Sequence, residues 1–181
     1  MQVTSSNPEG GGVQVRKMML FAIASAKESI RIGSAYFLPD QDFIDALKVA
    51  ASRGVQIRII TPGEMIDKEY VRKASYTIWG ELLEAGVEVY EYLPVKYHAK
   101  LMIVDDFFVS VGSTNFDNRS FRLNDEANVN ILNGDFGKKM AALFDEDMKS
   151  SEQITEEHVK SRSLWNKVSG WIISKVLGPY L

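Results

Sequence analysis

The chain has 181 residues, 45% of them hydrophobic and 25% charged, and a formal net charge of −3. That balance suits a single globular domain and excludes collagen-like, disordered and wholly membrane-embedded classes. The absence of cysteine removes disulfides, thiol nucleophiles and cysteine-held zinc, and the slight acidity supplies no basic field for a nucleic-acid backbone, so nucleic acid is not the expected partner.

Residues 1–12, MQVTSSNPEGGG, are polar and glycine-rich and read as a flexible opening segment rather than a signal peptide. In VQVRKMMLFAIASAKE the apolar residues Val15, Met18, Met19, Ala22 and Ile23 recur at helical spacing, which predicts a first helix. SIRIGSAYF reads as a strand. LPDQDFIDALKVAASRG reads as a helix opened by Pro39 and Asp40 and closed by Gly54. The β-branched run VQIRIITPG is a strand stopped by Pro62 and Gly63, a long helix follows through DKEYVRKASYTIWGELLEAG, and VEVYEYLP is the next strand.

Strands and helices alternating at this spacing predict an α/β fold: a mixed, largely parallel sheet with helices on both faces. The pattern then changes. AKLMIV and FFVSVG flank Asp105 and Asp106 and predict an antiparallel hairpin, and EANVNIL adds another strand. The remainder from Gly134 is expected to be helical, with FDEDMKSSEQITEE as a solvated acidic surface and His158 on an exposed face. Over 160–181, Trp165, Val168, Ile172 and Val176 share a helical face flanked by Lys167 and Lys175. This basic amphipathic helix either packs on the domain or lies in a lipid interface. No uninterrupted apolar run is long enough to span a bilayer, so the expected chain is soluble or peripheral at a membrane.

The chemistry concentrates around KYHAKLMIVDDFFVSVGSTNFDNRSF. Strand alternation puts His98 and Lys100 on one face and Ala99, Leu101 and Ile103 on the other. The same alternation groups Glu126, Asn128 and Asn130. A phosphodiester needs a nucleophile for phosphorus, donors for the nonbridging oxygens and an acid for the leaving alkoxide. His98 can attack phosphorus and form a phosphohistidine, and Lys100 supplies a point charge. Gly112 permits close backbone approach, Ser113 offers a hydroxyl, and Asn115 offers an amide donor. Glu126 is the candidate to bond the far imidazole nitrogen and fix its tautomer. Asp105 opens a tight turn and is expected to be structural, accepting backbone N–H bonds. Neither a metal nor another cofactor is required, because lysine and amide donors carry the charge stabilisation.

His98, Lys100, Asp105, Gly112, Ser113 and Asn115 fill H-x-K-x-x-x-x-D, six further residues, then G-S-x-N. In this the chain resembles the phospholipase D superfamily. GSTNFDNRSFRLNDEANV, AYFLPDQDFIDALKVAASRGVQIRIITPG and ELLEAGVEVYEYLPVKYHAK sharpen the resemblance to bacterial cardiolipin synthases, over nearly the whole chain. Departures lie at Asn7, where glycine is usual, and at Lys96 and Tyr97, where apolar residues are more usual.

The resemblance implies a phospholipase D-like fold and transfer of a phosphatidyl group from one phosphatidylglycerol to another through a phosphohistidine. Glu126 falls where the family carries the glutamate that orients the histidine, and Arg119 and Arg122 are placed to hold a second anionic group. Family enzymes bring two such motifs together across one cleft, and this chain carries one. The resemblance is therefore to the C-terminal half, which implies a second half-domain as partner: the N-terminal half of a longer chain, or a second copy in the manner of single-motif nucleases of the superfamily. A phospholipid substrate and a bacterial membrane surface complete the expectation.

Overall fold

A computed structural model describes residues 1–7, 13–162, 168 and 170–173. Its frame is an eight-stranded sheet built from β1 (Gln2–Ser6), β2 (Ser29–Ser34), β4 (Gln56–Pro62), β5 (Glu88–Tyr92), β6 (Lys100–Val104), β7 (Phe108–Gly112), β9 (Glu126–Leu132) and β10 (Ser151–Ile154), in the order β1-β9-β7-β6-β2-β4-β5-β10. β3 (Phe37–Leu38) and β8 (Phe116–Asp117) pair separately. The helices are α1 (Gln14–Ser25), α2 (Gln41–Ser52), α3 (Glu69–Glu84), α4 (Asn118–Arg122), α5 (Gly134–Lys149) and α6 (Glu156–Ser161).

The α/β class and the mixed sheet are as read from the sequence. Parallel pairing is narrower than the expected largely parallel sheet: it is confined to β2-β4 and β4-β5, and the other five neighbours in the sheet are antiparallel. The reason is that only β2, β4 and β5 are joined by helical crossovers, α2 and α3, which parallel neighbours require. β6 and β7 are joined by the three residues 105–107, in which Asp105 and Asp106 have φ of 53° and 49° and the Phe107 N–H closes the turn on the Val104 carbonyl. Positive φ at both central residues defines the hairpin turn whose twist matches the strands.

Helices cover both faces. Ile30, Ile32, Ile57, Ile59, Met102 and Val104 point to one side and bury against α1, α2 and α3 through Met19, Ile23, Phe43, Leu47, Trp79 and Leu82. Ile60, Leu101, Ile103 and Val109 point to the other and meet Ala141 and Phe144 of α5. α2 begins where the Asp40 carboxylate accepts the Phe43 N–H, and its chain end turns at Gly54, whose φ of 89° suits a residue without a side chain.

Three expectations change. Residues 2–6, expected within a flexible opening, form β1 and pair with Glu126–Asn130, because Thr4 and Ser6 of the alternating VTS pattern bury against the sheet end, Thr4 meeting Asn130 and Ser6 accepting the Val15 N–H. Residues 8–12 lie outside the described residues. SEQI (151–154), expected to be helical, is β10, because it pairs with β5 and buries Ile154. The amphipathic helix expected from 160 is interrupted at Arg162, whose φ of −59° and ψ of 140° end α6. Most of 163–181 lies outside the described residues, and Val168 and Trp171 are helical and exposed. Among the described residues no helix is long and apolar enough to cross a membrane.

Candidate active site

Most of the candidate residues gather at one end of the sheet, where β2 finishes, β6 starts, β7 finishes and β9 starts. Register fixes this: Ser34 lies opposite Lys100, and Gly112 opposite Asn128. His98 precedes β6 by two residues, so its ring shares a side with the Lys100 ammonium. Nζ of Lys100 is 3.1 Å from Nε2 of His98. His98 is exposed and Lys100 half-buried.

Electrostatics favour a neutral imidazole. Burial lowers the His98 pKa, the Lys100 and Lys96 charges lower it further, and Asp67 opposes them. Burial also lowers the Lys100 pKa, against the raising influence of Glu126 and Asp117. A neutral ring beside a cation suits nucleophilic attack on a phosphodiester once a phosphate oxygen takes the ammonium from the ring nitrogen.

The loop after β7 supplies the next groups. Gly112 does permit a close approach, but to β9: a Cβ there would lie 2.5 Å from Oδ1 of Asn128 and 2.7 Å from its Cα. Asn128, buried, then holds the loop by accepting from the Thr114 N–H (3.3 Å) and hydroxyl (2.8 Å), while its own amide donates to Ser110 (3.0 Å). Phe116 N–H donates to Oγ of Ser34, and β8 pairs with β3, so the loop is pinned at both ends. Beneath it Phe37, Phe43, Phe116 and Phe121 pack ring on ring, with Phe43 and Phe121 stacked at 4.4 Å. Asn115, between these anchors, is half-buried, and its Oδ1 is buried with no hydrogen-bond partner among the described residues.

Glu126 is buried at the start of β9. Its carboxylate accepts from the Ser113 hydroxyl and, at 3.2 Å, from the Asn124 amide. It does not bond His98, so the tautomer-fixing contact expected of it is absent among the described residues. Its two carboxylate oxygens are taken by Ser113 and Asn124 instead. Glu126 acts instead on Lys100 through space. Arg119 is exposed on α4. Arg122 is paired to Asp40 at 3.3 Å, beside the Arg16–Asp40 pair at 2.7 Å, which gives it a structural partner rather than a free head group.

Asp105 sits at the opposite end of β6, about 16 Å along the strand from Lys100 at 3.3 Å per residue. Its carboxylate accepts the backbone N–H groups of Lys27, Glu28 and Ser29 at 2.9, 2.8 and 2.9 Å, tying the hairpin turn to the start of β2. His158 caps α6: Thr155 N–H donates to its Nδ1 and its own N–H donates to the Thr155 hydroxyl. Among the described residues no group of three or more histidine, aspartate and glutamate side chains is placed to hold a metal ion.

Sequence reasoning did not single out Asp117, Ser34 or the Tyr36–Asp67–Lys96 chain. Asp117 is buried, caps α4 through the Ser120 N–H at 2.7 Å, and has its pKa raised by burial. Asp67 accepts from Tyr36 and Lys96, both at 2.8 Å, and holds Lys96 near His98. Nothing in local periodicity marks these residues, because they reach the site from segments far apart in the chain: the end of β2 and the residues after it, the segment before α3, the segment before β6, and β8.

Residues 19–148 match the family described as "Cardiolipin synthase, PLD-like domain". The chain is 41% identical to cardiolipin synthase 2 of Staphylococcus epidermidis over all 181 residues and 39% identical to cardiolipin synthase of Staphylococcus aureus. It spans 37% and 36% of the lengths of these relatives. Among solved structures, Nuc of Salmonella typhimurium, a phospholipase D family member, superposes with a TM-score of 0.70 at 27% identity, covering 85% of this chain and 98% of that one. Phosphatidylserine synthase of Haemophilus influenzae superposes at 0.74 over 99% of this chain and 48% of that one; at 12% identity this likeness is one of fold.

Proposed function

The chain belongs to the cardiolipin synthase family of phospholipase D-like domains, and we propose that it supplies one half of a phosphatidyl-transferring active site whose substrate is phosphatidylglycerol. A second half-domain supplies the facing histidine, either from the rest of a longer chain or from a second copy, and the site works at a membrane surface. The reading rests on one observation above others: the His98 ring and the Lys100 ammonium lie 3.1 Å apart at the open end of the sheet.

In the first half-reaction a neutral imidazole attacks the phosphorus of phosphatidylglycerol, the bond from phosphorus to the glycerol oxygen breaks, and the leaving alkoxide takes a proton from the facing histidine. In the second, that histidine, now neutral, removes the proton from a hydroxyl of another phosphatidylglycerol. The freed oxygen attacks phosphorus and displaces the first imidazole, giving cardiolipin; glycerol is the other product. His98 takes one of these two roles and its counterpart the other. Lys100 and the Asn115 amide stabilise the nonbridging oxygens as charge shifts onto them. Ser113, fixed by Glu126, keeps the loop in place, and Arg119 lies where a second anionic group would approach.

A second reading, a homodimeric single-motif phosphodiesterase acting on nucleic acid, draws on the likeness to Nuc, of which this chain covers 98%. The net charge of −3 weighs against it, since backbone binding needs several cationic contacts. The complete two-motif enzyme containing this half is to be assayed on phosphatidylglycerol vesicles and on single-stranded DNA. Cardiolipin and glycerol in equal amounts are expected; DNA cleavage without lipid turnover would overturn the proposal.

A further inference from the structure

Beside the catalytic loop lies a cavity of about 160 Å³ between β3, α4 and the start of α3. At about 30 Å³ per water it equals the room of about five waters. That is the scale of a three-carbon polyol and far below that of an acyl chain. Its lining is specific. Asn115 contributes the amide whose Oδ1 is buried and unpartnered among the described residues. Asp117 contributes a buried carboxylate, one oxygen of which is taken by the Ser120 N–H. The buried Ser120 hydroxyl lies beside that carboxylate. Lys68 and Arg119 also line it, and neither is in an ion pair among the described residues.

A buried acceptor left without a donor costs about 1–3 kcal/mol, so an amide oxygen held in that state next to a cavity points to a donor that arrives with a ligand. The cavity offers two acceptors, the Asn115 amide oxygen and the Asp117 carboxylate, with two cations in its lining. The matching ligand carries two hydroxyl donors close to one anionic phosphate. Phosphatidylglycerol has that arrangement: a vicinal diol two and three carbons from its phosphodiester.

We infer that this cavity is the headgroup subsite, in which Asn115, Asp117 and Ser120 read the diol of phosphatidylglycerol while Lys68 and Arg119 face its phosphate. The inference rests on the phosphatidylglycerol reading above and deepens it by naming the residues that select the alcohol. A site built to hydrogen-bond hydroxyls discriminates strongly against an analogue that lacks them, because its buried polar groups then stay unpaired. A phospholipid with a plain alkyl headgroup therefore leaves Asn115 as unsatisfied as it is in the empty site.

The test measures binding on the 181-residue chain, without turnover. Amide chemical shifts are followed while dihexanoyl phosphatidylglycerol, dihexanoyl phosphatidylethanol or glycerol 1-phosphate is titrated in below micelle formation. The two lipids share chains and charge and differ in the headgroup, a three-carbon diol against a two-carbon alkyl. Phosphatidylglycerol is expected to bind at least about tenfold tighter than phosphatidylethanol, the worth of one or two net hydrogen bonds, with shifts clustered at Asn115, Ser120 and Asn124. Glycerol 1-phosphate is expected to bind more weakly than phosphatidylglycerol. Ser120→Val, which removes one polar group of the lining and fills space inside the subsite, is expected to reduce the preference severalfold.

Equal affinities of the wild-type chain for the two lipids would overturn the inference, whether or not the variant folds. So would a diol preference undiminished in a folded Ser120→Val, or tighter binding of the free phosphate ester than of the lipid. Failure of the complete enzyme to convert phosphatidylglycerol would defeat the proposed function separately, since the diol preference is read by binding alone.

Discussion

Replacing Gly112 by alanine tests how tightly the catalytic loop is welded to the sheet. The added Cβ would stand 2.5 Å from Oδ1 and 2.7 Å from Cα of Asn128, both below the 3.0 Å that side-chain carbons tolerate, and closer still to the Ala127 carbonyl oxygen. Two of these three neighbours are backbone atoms of β9, so a rotamer change does not relieve the clash. Separating β7 from β9 pulls on Asn128, which is buried and joins Thr114 to Ser110 through three hydrogen bonds. Overpacking costs about 1–3 kcal/mol. Exposing or orphaning buried polar partners adds about 1–3 kcal/mol. The expected loss is therefore about 2–6 kcal/mol, a large share of a typical stability of about 5–15 kcal/mol. Gly54→Ala serves as the comparison: a Cβ there meets nothing within 4 Å, and only the φ of 89° penalises it, so about 1 kcal/mol is expected. Urea unfolding gives both values if the slopes stay equal. A loss below about 1 kcal/mol for Gly112→Ala, or a larger one for Gly54→Ala, would refute the reasoning.

Arg72 donates to both carboxylate oxygens of Glu91 at 2.7 Å, and Glu91 is 3% exposed; Arg72→Ala strands that charge and is expected to cost about 3–5 kcal/mol in urea unfolding, more than Arg72→Ala combined with Glu91→Gln. Asp117 has its pKa raised by burial, so its contribution to stability is full below the ordinary value near 3.9 and is lost as pH rises through the raised one. Asp117→Asn keeps the cap without the charge, and its melting temperature relative to wild type is expected to climb between pH 4 and pH 7; a constant difference would contradict this. In the complete enzyme His98→Ala or Lys100→Ala is expected to lower turnover by several orders of magnitude, and turnover that survives both would remove their roles. Burial and the Lys100 charge lower the His98 pKa, so the acid limb of that histidine's titration is expected below about 6.5, and Lys100→Met is expected to move it upward.

The strands and helices that carry strong periodicity were legible in the sequence, because burial imposes it: α2 repeats Phe43, Ile44, Leu47 and Ala50 on its covered face, and β6 alternates as its two cores require. What stayed hidden is what tertiary pairing creates. Residues 2–6 and 151–154 are polar or charged in large part and become strands only because an edge of the sheet is there to receive them. The same division runs through the site. His98 stands two residues before Lys100, the first residue of β6, so the side they share continues the alternation of the strand. Glu126 also lies where alternation puts it, yet its partner is Ser113, a choice set by how far the loop after β7 reaches. Asp117 and Lys68 meet at a cavity formed by segments roughly 50 residues apart in the chain, a proximity that no local pattern encodes.

The most direct test of the central claim, that the imidazole just before β6 and the ammonium at its first residue form a phosphate site, is titration of the chain with inorganic phosphate while the His98 ring nitrogens are followed by NMR. Saturable shifts of that ring are expected, with affinity falling at least about tenfold in Lys100→Ala. A His98 ring that stays silent while phosphate binds elsewhere, or an affinity unchanged without Lys100, would contradict it.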